Sequence, residues 1–234
     1  MRAIIFAWTM LFFLICAVPA ATAASETNAV ESVLPPALSL FGAESTNAYP
    51  LALVKPEGMI GRWLSVLRRH GEDDAFALSS DSMNLYVRDQ WDTLSTKFSS
   101  MPQEQRLQAV SAFFNQIPGE SDLIGYGKEH WAYPAEFLRK YRGDCKAYAA
   151  AKYLALRHLG WPKDKLWLVL VDDLPRKAGH AVLAVRLGER IFILDNLSRP
   201  KDLIMPHEKQ ASIYIPLLAL NETTVWVFSG KFDK

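Results

Sequence analysis

Apolar positions along the chain follow two different rhythms. In the first half they recur every three or four residues, as on one face of a helix. Trp63, Val66 and Leu67 share such a face over Trp63–Arg69, and Gly71 to Asp74 breaks it. Trp91–Phe98 and Glu104–Gln116 read as further amphipathic helices, the second with Leu107, Val110, Phe113 and Phe114. Ile117-Pro118-Gly119 ends it. Pro134 can open a short helix through Lys140. Gly143 interrupts, and Asp144 is a good N-cap for a helix running on through Ala149, Ala150, Ala151, Leu154 and Leu156. Gly160 and Pro162 stop it.

Beyond that point the period becomes extended. Leu166–Val171 is an apolar strand, and Ala181–Leu187 and Arg190–Leu194 are two more, joined by a hairpin turn at Gly188-Glu189. Ser212–Leu218 and Thr224–Phe228 add further strands. Helices first and an antiparallel sheet afterwards is the α+β pattern.

The first residues read as a leader rather than as part of that fold. Arg2 precedes an apolar run from Ala3 to Val18, followed by Pro19 and the small residues Ala20 to Ala24. This order is that of a secretory signal peptide, with cleavage expected after Ala23. An uncleaved anchor is the competing reading, although the run is short for a spanning helix. Residues 24–50, rich in Ala, Ser, Thr, Asn and Pro, read as a mostly irregular lead-in, with Leu38–Phe41 able to dock on a core. Residues 51–234 are then the folded domain. Half of the residues are hydrophobic, enough for one sizeable core. The 26 Lys and Arg nearly cancel the 25 Asp and Glu, so the basic footprint of a nucleic-acid binder is missing.

The leader changes the meaning of the cysteines. The chain has two, Cys16 and Cys145, and Cys16 would leave with residues 1–23. A lone thiol in an exported protein is an intermolecular partner, a reactive group or an inert buried residue. Cys145 would occupy the first position of a helix, where free backbone N–H groups and the positive helix end favour the nucleophilic thiolate. The same N–H groups can hold an oxyanion. Small Gly143 would let a substrate backbone come close. Of the five histidines, His180 stands out, because it follows Gly179 and opens a strand.

The hairpin supplies a geometric test. With Gly188-Glu189 as the turn, Leu187 pairs with Arg190, and counting back brings Val182 opposite Asp195. His180 and Asp195 are then diagonal neighbours on one face, roughly 7–8 Å apart with side chains able to meet. Asp195 could hold the imidazole in one tautomer and stabilise its charged form. It could equally cap a turn with Asn196. A one-residue bulge would put the two side chains on opposite faces.

Several segments together resemble the bacterial transglutaminase-like cysteine proteinases, the LapG-like periplasmic proteases. They are Gly143-Asp144-Cys145 with Tyr148-Ala149 and Lys152-Tyr153, Gly179-His180-Ala181-Val182-Leu183, and Leu194-Asp195-Asn196-Leu197. Trp131-Ala132-Tyr133-Pro134-Ala135-Glu136-Phe137-Leu138 fits the family's pattern upstream of the nucleophile, and Leu40-Phe41-Gly42 and the Trp63 region are similar to its N-terminal part. The resemblance implies a papain-like, transglutaminase-type fold and a triad of Cys145, His180 and Asp195. It implies a periplasmic cysteine peptidase with a protein substrate, a cell-surface adhesin for example, under the control of an inner-membrane receptor. Family members carry acidic residues around the cysteine that support calcium binding. Asp144 remains as a candidate ligand, but Lys146 and Ala147 follow the nucleophile, which puts the calcium site in question. Lys146 could instead support the thiolate, or be a solvated helix residue. Trp131 and Tyr133 are cleft residues or core aromatics; Trp131 is the better candidate for the oxyanion side of the cleft. Two other functions remain open: amide acyl transfer by the same triad, and a non-catalytic binding protein on the same fold.

Overall fold

The computed structural model describes residues 35–72, 82–198 and 202–228. The expected leader, residues 1–23, lies outside them, as does the lead-in as far as residue 34. Among the described residues there are six α-helices and eight strands; the helices are α1 (Gly58–Glu72), α2 (Ser82–Thr93), α3 (Gln103–Asn115), α4 (Asp122–Tyr126), α5 (Pro134–Lys140) and α6 (Cys145–His158). The strands are β1 (Ser39–Leu40), β2 (Ala43–Pro50), β3 (Leu166–Asp173), β4 (Ala178–Leu187), β5 (Arg190–Leu194), β6 (Met205–Pro206), β7 (Tyr214–Leu220) and β8 (Thr224–Phe228). They form one sheet in the order β1-β2-β8-β7-β3-β4-β5-β6, and every pairing is antiparallel. The α+β class expected from the change of period is what the chain adopts, with β1 and β2 standing ahead of the helices.

Most elements follow the apolar pattern closely. α5 and β5 begin and end where expected, and α6 starts at Cys145 behind the Asp144 cap. α2 continues into a π-helical segment, Leu94–Phe98, which together with it covers the expected Trp91–Phe98 helix. α4 has no apolar period and was not foreseen.

The sheet is buried on both faces, which is why β3 reads as an unbroken apolar run. On one face α6 packs its alanines Ala147, Ala150 and Ala151 against Leu168, Leu183 and Val185. Small side chains let the helix lie close to the strands. The other face gathers Trp167, Val169, Val182, Ile193 and Trp226. Leu38, Leu40 and Phe41 cover it, each under 5% exposed, as the lead-in was expected to do.

One expectation is corrected here. The lead-in read as mostly irregular over residues 24–50 is a strand from Ala43 to Pro50, paired with β8 from Ser45↔Phe228 to Pro50↔Thr224. Its side chains are mostly polar because backbone hydrogen bonds, not buried alternation, hold it in place. The lead-in is further pinned where Trp226 Nε1 donates to the Pro36 carbonyl at 2.9 Å and the Phe41 N–H donates to His207 Nδ1 at 2.9 Å. The folded unit therefore begins before residue 51.

Candidate active site

Cys145 sits where α6 begins, and the local sequence dictates that start. Asp144 is extended, and its Oδ1 accepts the Lys146 N–H at 3.0 Å, satisfying one of the free donors of the first turn. Gly143 is required by packing as well as by access. A Cβ there would meet Phe137 at 2.8 Å and Ala147 at 2.9 Å. The Gly143 carbonyl accepts the Glu120 N–H at 2.8 Å, so the strip Gly119–Ser121 runs alongside Cys145. Cys145 itself is partly exposed.

The β4–β5 hairpin carries the partners. Its register is Leu187↔Arg190 through Leu183↔Leu194, with no shift along it, so His180 and Asp195 fall on the same side. His180 Nε2 donates to Asp195 Oδ1 at 2.9 Å, and both side chains are almost completely buried. His180 and Cys145 line the same two cavities, close enough for their charges to influence each other. With Nε2 taken by Asp195, Nδ1 is the ring nitrogen left for the sulfur.

Asp195 is held from four directions. Oδ1 also accepts the Leu197 N–H at 2.9 Å, which is the turn-capping role weighed above, so Asp195 plays both parts. Oδ2 accepts the Tyr214 hydroxyl at 2.5 Å, and the Asp195 carbonyl accepts Asn115 Nδ2 at 2.8 Å. Burial opposes the charged carboxylate. The hydrogen bond and charge of His180, with the Tyr214 donor, outweigh it and hold Asp195 below its ordinary range. Burial likewise opposes the imidazolium, but the bond to Asp195, with the charges of Asp195 and Cys145, pushes His180 up to about 9. The arrangement is built to keep a charged imidazolium beside the sulfur.

Two cavities meet at Cys145 and His180. One, about 200 Å³, is mainly apolar and is lined by Met59, Trp131, Leu170, Val171 and Leu217. The other, about 290 Å³, is lined by Gly119, Gly143, Asp144, Gly179 and Asn196 among others. Trp131 is 3% exposed and also belongs to the main core, so its two readings coincide. Tyr133 lies under the Arg69 guanidinium, 5.1 Å from the ring centroid, and is absent from both linings. The other histidines pair elsewhere: His130 with Glu136, His158 with Ser95, and His207 with Phe41 and Glu208. His70 packs edge-on to Trp91.

Lys146 is not a solvated helix residue. Its side chain is only 17% exposed, and its ammonium pairs with Asp144 Oδ2 and, at 3.1 Å, with Asp122 Oδ2. Among the described residues no group of three or more His, Cys, Asp or Glu could hold a metal ion. Asp144, the candidate calcium ligand, is paired with Lys146.

Reading the sequence missed Tyr214, Asn115, Asp122 and Lys152. Lys152 lies in α6, fully buried, with its Nζ lacking a hydrogen-bond partner among the described residues. Burial pushes it down to about 7, against the nearby charge of Asp195. Lys152 belongs to the motif quoted above but carries no role there, and the other three carry no local signal, since their contacts with the site are distant in sequence.

The sequence profile of the bacterial transglutaminase-like cysteine proteinases matches residues 88–231. Among solved structures, Legionella pneumophila LapG is similar at 24% identity, with a TM-score of 0.55, over 70% of this chain and 87% of that one. Its calcium-bound form matches at 23% identity and a TM-score of 0.57, over 74% and 91%. The EGTA-treated form matches at 24% and 0.56, over 70% and 84%. At these identities the likeness shows the fold. No curated protein sequence matches the chain.

Proposed function

This chain belongs to the bacterial transglutaminase-like cysteine proteinases, which makes it a cysteine peptidase, and we propose that Cys145, His180 and Asp195 carry its chemistry. The observation that supports this is one buried imidazole bonded to Asp195 and set beside Cys145 at the meeting point of two cavities. Cys145 attacks the carbonyl carbon of a peptide bond. His180 gives its proton to the leaving amine, then takes one from water as the thioester is hydrolysed. Asp195 fixes the ring and stabilises its charged form. The free N–H groups at the start of α6 face the developing oxyanion.

We further propose that the peptidase is exported to the periplasm through residues 1–23 and cleaves a surface or secreted protein there, of the adhesin kind, under an inner-membrane receptor. The leader pattern and the family support this reading. Beside Cys145 the cation paired with Asp122 and Asp144 is Lys146, whereas one form of the LapG neighbour is calcium-bound.

The test compares secreted proteins of cells carrying the natural chain or Cys145→Ala, by fragment mapping. Loss of specific fragments in the variant is expected. Unchanged cleavage would sink the triad. Offering a labelled amine in the same assay separates hydrolysis from acyl transfer, since transfer would incorporate the amine.

A further inference from the structure

We propose that Lys146 is a positioning residue whose ammonium fastens the cleft wall to the nucleophile's helix, in place of a divalent cation, so that the enzyme works without calcium. The inference rests on Cys145 being the nucleophile.

Two carboxylates converge beside Cys145 from different parts of the chain. Asp122 is the first residue of α4, and Asp144 caps α6. Their side chains are 8% and 16% exposed. Two carboxylates brought together out of water repel each other and stay ionised only with a cation between them. Lys146 Nζ occupies that position, bonded to Asp144 Oδ2 and 3.1 Å from Asp122 Oδ2, and the Cys145 sulfur lies within its field. Asp122 Oδ2 also accepts the His130 N–H at 3.0 Å.

These contacts bind the strip that walls the larger cavity. Besides Asp122–Lys146, the Glu120 N–H donates to the Gly143 carbonyl at 2.8 Å, and Lys140 Nζ pairs with Glu120 Oε2 at 3.2 Å. Residues 119–122 are thus tied to the end of α5 and the start of α6, and among the described residues Lys146 is the tie whose charge faces both carboxylates. A calcium ion requires six to eight oxygen ligands, and an ammonium among two carboxylates takes its place and repels it. A lysine tethered to the chain cannot be removed by a chelator.

The test uses the natural protein and three variants, read by the rate at which iodoacetamide alkylates Cys145 and by Tm, in EGTA or in calcium. The natural protein should alkylate at the same rate and melt at the same temperature in both. A fall in EGTA that calcium restores would overturn the proposal while leaving Cys145 as nucleophile. Labelling no faster than free cysteine in either medium would overturn the catalytic reading as well. Lys146→Met should alkylate at least roughly tenfold more slowly, and Lys146→Arg should recover most of the rate. A natural rate in Lys146→Met refutes the positioning role. Lys146→Glu places a carboxylate where the ammonium was, so this variant should gain a calcium-dependent rise in Tm and rate that magnesium does not reproduce. A variant indifferent to calcium argues against the shared position, and it decides the matter even where Lys146→Met fails to fold.

Discussion

His180 and Asp195 set how the enzyme should respond to pH. His180 is raised to about 9 and Asp195 is lowered, so the charged pair is favoured on both sides. The histidine's share of stability is complete below its unfolded value and drains away as pH rises through about 9. The aspartate's share is complete above the ordinary carboxylate range and is lost as pH falls through its lowered value. We predict that kcat/KM falls above about pH 9 as the imidazolium loses its proton, and that Asp195→Asn moves this limb to lower pH. An unmoved limb would show that Asp195 does not hold the ring. Lys152 acts in the opposite sense. Its folded value is lowered to about 7, so below that pH the fold carries the cost of a buried ammonium, and the cost is relieved as pH rises toward the unfolded value. Lys152→Met should therefore raise Tm at neutral pH, with the gain shrinking by about pH 10; a gain independent of pH would deny a buried charge. Cys145, His180 and Asp195 were legible as residues because each sits at a local signal: a helix start, a strand start and the far strand of a short hairpin. Tyr214 and Lys152 were not, because a hydroxyl on β7 and an amine within α6 gain meaning only when they come close to Asp195.

Among the elements, the helix that presents Cys145 depends on a close approach. The α5 ring of Phe137 and the α6 methyl of Ala147 both fill the space a Cβ on Gly143 would need. Gly143→Ala should cost about 1–3 kcal/mol from overpacking and lower Tm by several degrees. Phe137→Leu in that background should restore part of the loss, and a neutral Gly143→Ala would show that α5 and α6 have slack. The elements foreseen from the sequence are those with a buried stripe, such as α3 and α6, or a doubly buried run such as β3. The ones it hid are stabilised otherwise. α4 is five residues whose Asp122 accepts the His130 N–H and pairs with Lys146, and β2 reads Ala-Glu-Ser-Thr-Asn-Ala-Tyr-Pro, with no apolar alternation. Its pairing also shifts register between Ser45 and Asn47, which erases any period of two.

For the whole molecule, the two faces of the sheet depend on different parts of the chain. α6 and its neighbours close one, while Leu38, Leu40 and Phe41 help close the other. A chain beginning at Leu51 would lose β1, β2 and this apolar cover, at about 1.5–3 kcal/mol for each large side chain. We predict that this truncated protein aggregates or melts at a much lower temperature, and that its solubility and thermal melt will show it; a native-like melt would mean the lead-in is dispensable. The overall class was readable because the switch from helical to extended period is a property of the chain itself. The covering of the far face was not, since three apolar residues in a polar lead-in do not say where they dock.

The edge of that sheet has a further consequence for a protein that handles other chains. Proteases meet extended, partly unfolded polypeptides, and an open strand is a template on which such a chain could zip up as an extra strand. β1 spans two residues, and β2 behind it is polar, irregular in register and closed by Pro50. Among the described residues that border therefore offers a passing polypeptide a polar, irregular strand rather than a long regular one. The polarity and broken register that made β2 hard to recognise are also what would make it a poor template for a stray strand.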